Sequence, residues 1–600
     1  MPVGPPSGYK MAVEVIQTPL MSLKSAKTVG DVAAIIGYKA QTLSYVLYYK
    51  EEATKYTQFE IPKKGGGTRK ISVPSPDLKL IQEKLSNLLQ DCVDEINILK
   101  DIRDRVAHGF KRNRSIISNA KEHKNRRYVF NVDISDFFGS INFGRVYGFF
   151  MKDLNFNLDS RVAAVIGRIA CYDDALPQGS PCSPAISNLI GHIMDVHLVR
   201  LAKKHGCTYT RYADDLTFST NNPLFPKEIA FPSADNPNLW LPGKDLVGLV
   251  TKSRFKLNPA KTRMQYKDSR QEVTGLIVNR KVNVRNEYRR KVRAMVYRLF
   301  TTGNFNLEHK SVDEAGNQIK ISNLGSINQL HGMLGFIDSI DLYNQNLTKE
   351  ALGSLYVKKE NAKAITTKEA MFRRFLFFKE FYTANKPVIV CEGNTDNIYL
   401  THAIRSLSSA YPLLAETTPE HKINLKIRLF KYADTSTGRI LKMGGGFSDL
   451  ARFIADYSKE QTRFKALGEK FPVIVLFDND SAAAPILKAI SEVKKMKVES
   501  AEPFVHISGN LYALATPLLG GTKTSCIEDF FDASATKTTI DGKTFDPSKT
   551  ADKTKTFDKV VFAHKVVVPQ AATLNFTGFN QLLTNLTLLI NDHLRKHPPA

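Results

Sequence analysis

The chain has 600 residues, more than one hydrophobic core ordinarily supports, so two or three domains are expected. Lysine and arginine outnumber aspartate and glutamate by 84 to 59, and the net charge of +25 favours a nucleic-acid partner whose phosphates these side chains neutralise. An anionic membrane is the alternative, but no apolar run reaches the ~18 residues that a spanning helix needs.

The N-terminus and the cysteines indicate where the protein works. The first residues, Met-Pro-Val-Gly-Pro-Pro-Ser-Gly, have neither the positively charged start nor the apolar core of a signal peptide. The six cysteines show neither metal-ligand nor disulfide-framework spacing. We therefore expect a reducing compartment, the cytoplasm.

The pattern of residues 1–57 predicts short helices that form an N-terminal extension. A basic, glycine-rich segment follows it. Residues 61–74 read Ile-Pro-Lys-Lys-Gly-Gly-Gly-Thr-Arg-Lys-Ile-Ser-Val-Pro, which predicts two strands around a turn. Lys63, Lys64 and Arg69 at this turn are able to neutralise a triphosphate. A basic hairpin that is merely solvated explains this segment equally well.

Acidic residues end two predicted strands. Asp133 closes the apolar run that begins at Tyr128, where a carboxylate is unfavourable unless it is paired or metal-bound. Asp214 and Asp215 lie between two aromatic and β-branched runs, which predicts a hairpin with the acidic pair at its tip. Neighbouring carboxylates repel unless a cation lies between them, and either Arg211 or a divalent metal ion meets that need. Two-metal phosphoryl-transfer sites use such carboxylates, although a solvated turn is the simpler interpretation of an isolated Asp-Asp pair.

Three motifs in chain order carry a family resemblance. Asp133 with Phe137-Phe138, then Leu176-Pro-Gln-Gly-Ser-Pro, then Tyr212-Ala-Asp-Asp215 resemble the motif set of a reverse transcriptase palm. The resemblance covers about residues 55–345. It implies that Asp133 and Asp214 are metal ligands with Asp215 beside them.

The same resemblance implies a set of contacts with the incoming nucleotide. Phe138 would be the steric gate that clashes with a 2′-hydroxyl, and Lys261 would lie near the leaving pyrophosphate. The residues assigned to the nucleotide are Lys63, Lys64, Arg69, Phe138, Gln178 and Lys261. The implied cofactor is Mg²⁺, with Mn²⁺ as the alternative ion, and the substrates are deoxynucleoside triphosphates.

Two shorter elements resemble retron reverse transcriptases. They are Asn119-Ala-Lys-Glu-His123 and Val273-Thr-Gly275. The resemblance implies contacts of Asn119, His123, Val273, Thr274 and Gly275 with the template-primer. It also implies that the enzyme copies its own structured non-coding RNA into DNA and leaves a branched RNA–DNA product (msDNA).

A basic helix is predicted where the resemblance places the polymerase thumb. Arg289 and Arg293 share one helix face at i, i+4, and Arg285 precedes them. In a thumb these arginines would follow the backbone of the template-primer duplex. The predicted domains are fingers and palm at 58–285, thumb at 286–345 and a helical linker at 346–385.

The pattern then changes to alternating strands and helices. Glu392 follows the apolar run 387–391, and Asp478 and Asp480 follow the run 471–477. Acids at the carboxyl ends of such strands mark ligand sites in α/β sheets, and Asp478 and Asp480 face the same way from an extended chain.

Glu-Gly followed by Asp-x-Asp resembles the TOPRIM domain, here at residues 386–530. The resemblance implies that Glu392 is a general acid/base or metal ligand and that Asp478 and Asp480 bind metal, with Asp396 and Glu528 as weaker candidates. Acidic caps on a Rossmann-like sheet are the alternative. Residues 531–600 carry no predicted role.

These patterns together predict an α/β multidomain protein, a right-hand reverse transcriptase followed by a Rossmann-like TOPRIM domain. The expected function is a retron RNA-directed DNA polymerase whose TOPRIM part is a nuclease-like effector in anti-phage defence. The alternatives are a group II intron-like or other prokaryotic reverse transcriptase with an unrelated tail, and an inactive RNA-binding scaffold. The partners are the RNA template-primer and its DNA product, with no membrane, and the oligomeric state is left open.

Overall fold

The computed structural model describes residues 17–62, 67–101, 105–312, 318–353, 366–501, 503–548, 552 and 554–597. The chain forms two compact units, Met1–Arg285 and Asn286–Ala600. The division falls where the palm is predicted to end, and it groups the predicted thumb with the C-terminal part. No helix in the described ranges is both long and apolar enough to cross a bilayer.

The first unit contains ten α-helices and ten strands among its described residues. The helices are α1 (Pro19–Ser25), α2 (Val29–Ile35), α3 (Ala40–Ser44), α4 (Glu52–Lys55), α5 (Pro76–Leu99), α6 (Ile116–Glu122), α7 (Phe143–Lys152), α8 (Ser160–Ala170), α9 (Ser183–Lys204) and α10 (Lys244–Lys252). The strands are β1 (Tyr56–Pro62), β2 (Thr68–Pro74), β3 (Tyr128–Ser135), β4 (Thr208–Tyr212), β5 (Asp215–Thr220), β6 (Ala230–Pro232), β7 (Trp240–Pro242), β8 (Lys256–Tyr266), β9 (Glu272–Val273) and β10 (Leu276–Ile277).

A four-stranded antiparallel sheet in the order β4-β5-β3-β8 forms the centre of the first unit. The apolar side chains of Phe130, Val132 and Ile134 in β3 are buried in one hydrophobic core with the helices α5, α8 and α9. This burial explains why β3 is nearly continuously apolar rather than alternating. The core therefore fixes the strand on which Asp133 lies.

The strands β1 and β2 form an antiparallel hairpin, as the sequence predicts, with Pro62 opposite Thr68. The amide of Ser72 in β2 donates a hydrogen bond to the carbonyl of Gln178 at 2.7 Å. The hairpin is thereby fastened beside the segment that precedes α9. Lys63 and Lys64 lie outside the described residues.

The second unit contains a larger set of short elements. Its α-helices are α11 (Asn286–Thr302), α12 (Ile327–Leu352), α13 (Thr367–Phe377), α14 (Asn394–Ser406), α15 (Ser436–Leu441), α16 (Phe447–Gln461), α17 (Ala484–Lys494), α18 (Ala533–Thr536), α19 (Lys559–Val561) and α20 (Asn580–Lys596). Its strands are β11 (Asn306–Val312), β12 (Gln318–Leu324), β13 (Val388–Cys391), β14 (Ala415–Thr417), β15 (Ile423–Leu425), β16 (Arg428–Leu429), β17 (Val473–Phe477), β18 (Val505–Ser508), β19 (Leu511–Ala515), β20 (Thr544–Phe545) and β21 (Thr556–Phe557).

A five-stranded sheet in the order β16-β13-β17-β19-β18 forms the core of the second unit. Its pairs are parallel except for the edge strand β18, which runs antiparallel to β19. The buried side chains of Ile389 and Ile474 share a hydrophobic cluster with Phe562, Phe579 and Leu586. Residues from the segment 531–600 therefore complete the core of the α/β fold.

The predicted thumb segment packs on this α/β fold. The ring of Phe300 in α11 lies 5.3 Å from that of Phe378 and 5.1 Å from that of Phe464, measured between centroids. Arg439 in α15 is ion-paired with Asp338 in α12. Both aromatic and ionic contacts therefore join the helices after residue 286 to the C-terminal part of the same unit.

Candidate active sites

The hairpin of β4 and β5 gathers three aspartates at one end of the antiparallel sheet. The turn consists of Ala213, in the left-handed region with φ of 56°, and Asp214. Pairing of β3 with β5 places Asp133 opposite Asp215, and the amide of Ile134 donates to the carbonyl of Asp214 at 3.0 Å. The predicted hairpin with the acidic pair at its tip is confirmed.

The three aspartates repel one another. Asp133 is only 2% exposed, and its Oδ1 has no hydrogen-bond partner in the described part of the chain. Burial, together with the charges of Asp214 and Asp215, raises the pKa of Asp133 to about 7. Burial and the charge of Asp214 raise the pKa of Asp215 to about 6. Burial is the larger cause of both shifts, and repulsion among the three carboxylates adds to it.

Lys261 in β8 brings a positive charge to the three aspartates. Its ammonium group is ion-paired with Oδ2 of Asp133, and this contact raises the pKa of Lys261. The side chain of Lys261 is 57% exposed, so solvent is available to it when it leaves the carboxylate.

The residues of this site fit a divalent cation in charge and donor type. The buried Oδ1 of Asp133 lacks a partner, and the repulsion among the carboxylates is relieved by a hard cation with oxygen ligands. Across the described ranges, however, no group of three or more His, Cys, Asp and Glu side chains is arranged to hold one ion. Binding therefore requires rotation of side chains, including withdrawal of Lys261.

Arg211 is not the cation that separates the acidic pair, so that interpretation of the motif is wrong. Its side chain is fully buried and donates to both carboxylate oxygens of Asp195, with Nε and Nη2 at 2.9 and 2.8 Å. Nη1 also donates to the carbonyl of Ala213 at 3.1 Å. Arg211 therefore supports the hairpin turn from the core.

A cleft of about 270 Å³ lies between the β1–β2 hairpin and the segment 172–178. Arg69 and Gln178, both assigned to the nucleotide, line it together with Lys70. Gly179 has φ of 124°, and a Cβ there would lie 2.6 Å from the carbonyl oxygen of Ser72, so only glycine fits this close approach. Lys261 does not line this cleft; it lies on Asp133.

Phe138 lies near Phe110, a residue to which no sequence motif assigns a role. The ring centroid of Phe138 is 5.6 Å from that of Phe137 and 6.3 Å from that of Phe110. Phe110 is 48% exposed and has φ of 57°, a strained conformation for an aromatic residue. The segment before it is fixed to β4, since His108 donates its amide to the carbonyl of Arg211 at 2.8 Å. Phe110 is thus a candidate site residue whose only sequence signal is its neighbouring glycine.

Asn119 and His123 lie in the core behind the hairpin. The ring nitrogens of His123 are 2.7 Å from the hydroxyl oxygens of Ser219 and Thr210, and Thr210 donates to Oδ1 of Asn119 at 2.5 Å. Burial lowers the pKa of His123 to about 3. Both side chains are fully buried, so the predicted direct contact with the template-primer is not supported for them. They brace β4 and β5 instead.

The Val273-Thr-Gly275 element forms the turn between β9 and β10. Thr274 and Gly275 have φ of 47° and 82°, as a two-residue hairpin turn requires. The hydroxyl of Thr274 donates to the carbonyl of Ile116 at the start of α6 at 3.2 Å, and Val273 is buried. The turn of one element that resembles retron enzymes therefore contacts the first turn of α6, the helix that carries Asn119 of the other.

The basic residues predicted to bind nucleic acid are divided between the two units. Arg285, the last residue of the first unit, is ion-paired with Glu272. Arg289 and Arg293 lie on α11 in the second unit and line one groove.

A second acidic cluster forms at the carboxyl ends of the parallel strands of the second unit. Glu392 follows β13 and Asp478 follows β17, and the two strands pair with Cys391 opposite Leu476. Burial, then the charges of Asp396 and Glu528, raise the pKa of Asp478 to about 8. Burial also raises the pKa of Asp396 to about 6. The acids named in this cluster are thus close enough to interact.

Lys559, which no motif predicts, lies within this cluster. Its ammonium group is 3.0 Å from Oε2 of Glu528, a residue that is 3% exposed. Although burial alone would lower it, the carboxylate of Glu528 and then that of Asp478 raise the pKa of Lys559. Sequence reasoning missed Lys559 because it lies 31 residues after Glu528, in a segment without a recognisable pattern.

Asp480 does not join the cluster in the way its spacing predicts. It is exposed and caps the following 3₁₀ turn, where Oδ1 accepts a hydrogen bond from the amide of Ala482 at 2.9 Å. The strand ends at Phe477, so the two-residue periodicity that would align Asp478 and Asp480 no longer applies. The predicted pair of ligands is therefore not assembled.

Comparison with known proteins identifies part of the chain. Residues 61–279 match the family described as reverse transcriptase (RNA-dependent DNA polymerase). This segment of the chain is therefore similar to reverse transcriptases. The match includes the three aspartates of the first site and leaves the second site outside it.

Curated relatives of this chain include retron reverse transcriptases. The retron Mx162 reverse transcriptase of Myxococcus xanthus is 34% identical over 43% of this chain and 54% of its own length. The retron Ec86 reverse transcriptase of Escherichia coli is 28% identical over 46% of this chain and 80% of its own length. The chain thus spans only about half the length of the Mx162 enzyme.

Among solved structures, telomerase from Candida albicans in complex with a telomeric RNA fragment is 11% identical over 54% of this chain and 64% of that chain. Its TM-score of 0.29 is too low to inform the fold.

Proposed function

We propose that the first unit is an RNA-directed DNA polymerase. The observation that carries this proposal is the convergence of Asp133, Asp214 and Asp215 at one end of the sheet, in a domain of the reverse transcriptase family. Reverse transcriptases use divalent metal ions, and the repulsion among these carboxylates supports Mg²⁺ binding here, with Mn²⁺ as the alternative. When bound, such ions stabilise the charge that develops on the attacking and leaving oxygens.

The other residues of the site position the nucleotide. Arg69 and Lys70 line the cleft and offer their cations to the triphosphate, and Gln178 lines the same cleft. Phe138 excludes a 2′-hydroxyl and so selects deoxynucleotides. Lys261, displaced from Asp133, is positioned to neutralise the leaving pyrophosphate.

The template is proposed to be a structured non-coding RNA, as in retrons. The relatives named above are retron reverse transcriptases, and the net charge of +25 suits a polyanionic partner. The product would be a branched RNA–DNA molecule. The hydrogen bond from Thr274 to the carbonyl of Ile116 supports the retron assignment, because it joins one retron-like element to the helix that carries part of the other.

The second unit is proposed to be a TOPRIM-type effector that cleaves phosphodiester bonds in anti-phage defence. Glu392, Asp396, Asp478 and Glu528 supply carboxylates at the ends of parallel strands, where α/β folds bind ligands. Lys559 is suited to hold a substrate phosphate or to balance the buried acids. An inactive RNA-binding scaffold is the alternative for the first unit.

Primer extension on RNA templates, with sequencing of the nucleic acid that co-purifies with the full chain, tests the polymerase proposal. A covalently joined RNA–DNA species that is lost with Asp214→Asn is the expected result. If the wild-type chain extends no primer and carries RNA without DNA, the protein is a scaffold. DNA without a branch would indicate another class of reverse transcriptase.

A further inference from the structure

A basic groove lies in the second unit between α11 and α13, and both helices pack against α12. Its volume is about 560 Å³, which is the size of sites that hold one nucleotide-sized ligand. The groove is separate from the acidic cluster of the same unit, since none of its lining residues belongs to that cluster.

The α11 wall of the groove carries cations that lack carboxylate partners. Arg289, Arg290 and Arg293 line it at helical spacing, and in the described part of the chain none of them forms an ion pair. Nη2 of Arg289 donates a hydrogen bond to the side-chain oxygen of Asn286, and its Nε is buried without a hydrogen-bond partner in the described part of the chain. Guanidinium groups without a carboxylate partner are able to bind an anionic ligand, and a phosphate group matches their planar hydrogen-bonding geometry.

The α13 wall carries cations that are held in place. Lys368 is ion-paired with Asp341 at 2.6 Å, and Arg374 is ion-paired with Glu460. Because only this wall is neutralised, the groove keeps an excess of positive charge along α11.

An aromatic ring lies beside the arginines. Tyr297, one turn after Arg293, lines the groove and is 68% exposed, and Val296 and Met371 add apolar surface. A positively charged groove with an exposed aromatic ring is how proteins bind single strands, with phosphates on the cations and bases on the ring. A duplex presents its phosphates on a convex surface and is too wide to enter a groove of this volume.

We propose that this groove binds single-stranded nucleic acid, with a base stacked on Tyr297 and its phosphates on the arginines of α11. The site replaces the duplex contact predicted for Arg289 and Arg293. It does not require polymerisation, and it would bring a strand onto helices that pack against the α/β fold of the second unit.

Photo-crosslinking of the full chain without nucleotides tests this proposal. The probes are a single-stranded DNA carrying 4-thiothymidine and a single-stranded RNA carrying 4-thiouridine, and crosslinked peptides are identified by mass spectrometry. We expect crosslinks in residues 286–302 or 367–377, and the more efficient probe shows whether DNA or RNA is the ligand. Crosslinks confined to residues 61–279 would overturn the proposal without touching the polymerase assignment.

Matched variants on one helix separate the groove from general charge. Arg293→Glu should weaken the α11 crosslink by about tenfold or more, whereas Arg298→Glu, an exposed position outside the groove, should change it less than about twofold. Tyr297→Ala should weaken it by about fivefold without changing its dependence on salt concentration. Equal effects of Arg293→Glu and Arg298→Glu, or equally strong competition by a duplex, would contradict a single-strand groove.

Discussion

The two acidic sites differ in the kind of sheet that builds them. In the first unit, antiparallel pairing sets Asp133 opposite Asp215, and a two-residue turn adds Asp214. In the second unit, Glu392 and Asp478 come from separate parallel strands, with Glu528 and Lys559 from segments further along the chain. The hairpin supplies two of the three acids of the first site from adjacent residues, whereas Glu392, Asp478 and Glu528 of the second site come from three separate segments.

Each site also contains one lysine, and the two lysines differ in exposure. Lys261 is more than half exposed on the buried Asp133, so it is able to leave. Lys559 is less exposed, at 34%, and contacts the buried Glu528. We infer that Lys261 leaves Asp133 during the proposed reaction, whereas Lys559 stays on Glu528 as part of the folded structure.

The largest effect is expected from Asp214→Asn, which tests whether DNA synthesis depends on the first acidic site. Loss of a carboxylate that would hold Mg²⁺ should lower primer extension by at least ~10³-fold, because several kcal/mol of charge stabilisation are removed. Binding of RNA should be unchanged in a gel-shift assay. Asp235→Asn, at an exposed position outside the site, is the control. Retained synthesis by Asp214→Asn would break the assignment of the palm.

Glu392→Ala tests the second site in the same way. We expect loss of toxicity in cells and at least ~10²-fold slower cleavage of DNA or RNA, with primer extension unchanged. The exposed Glu499→Ala serves as the matched control. Toxicity that persists in Glu392→Ala would remove the effector assignment and leave the polymerase assignment intact.

The two lysines are distinguished by stability. Lys559→Met leaves the buried carboxylate of Glu528 without its ion pair and should lower the free energy of unfolding by about 3 kcal/mol. Lys261→Met removes the half-exposed partner of Asp133 and should change the free energy of unfolding by less than about 1 kcal/mol. Urea denaturation of both variants measures the difference. Equal losses would mean that Lys261 is as firmly placed as Lys559.

The sequence predicts the first site better than the second for a physical reason. The local strand pattern and turn place Asp214 and Asp215 at the hairpin tip and Asp133 at the end of β3, whereas their joint role as metal ligands is expected only from the resemblance of three motifs. Lys559 is missed because only the packing of the segment 531–600 into the α/β core brings it to Glu528. The role of His123 is misjudged since a polar residue in a motif does not show that it is buried.

A smaller effect is expected from Phe110→Ala, which sharpens the description of the first site. Phe110 packs against Phe138, and loss of an aromatic contact is worth about 0.5–1.5 kcal/mol, or roughly two- to tenfold in selectivity. We expect incorporation of ribonucleotides to rise by that factor relative to deoxynucleotides, with Phe110→Tyr close to wild type. Loss of activity without a change in selectivity would mean that Phe110 supports only the fold.

The smallest expected effect is on the pH dependence of stability, and it comes from one buried histidine in each unit. Burial lowers the pKa of His123 to about 3 and that of His593 to about 4, so both are neutral in the folded protein. The unfolded chain takes up these protons near pH 6.5, so this contribution to stability is complete above that pH and is lost as the pH falls toward the folded values.

The raised pKa values of Asp133 and Asp478 increase the stability of the folded chain as the pH falls, opposite to the effect of the histidines. The pH dependence of each variant is therefore compared with that of wild type. Between pH 7.5 and 5.5, the first unit of His123→Gln should lose less stability than that of wild type as the pH falls, and the second unit of His593→Gln should do the same. An unchanged pH dependence in His123→Gln would mean that the imidazole of His123 titrates in the folded chain, with water or nucleic acid beside it behind the β4–β5 hairpin.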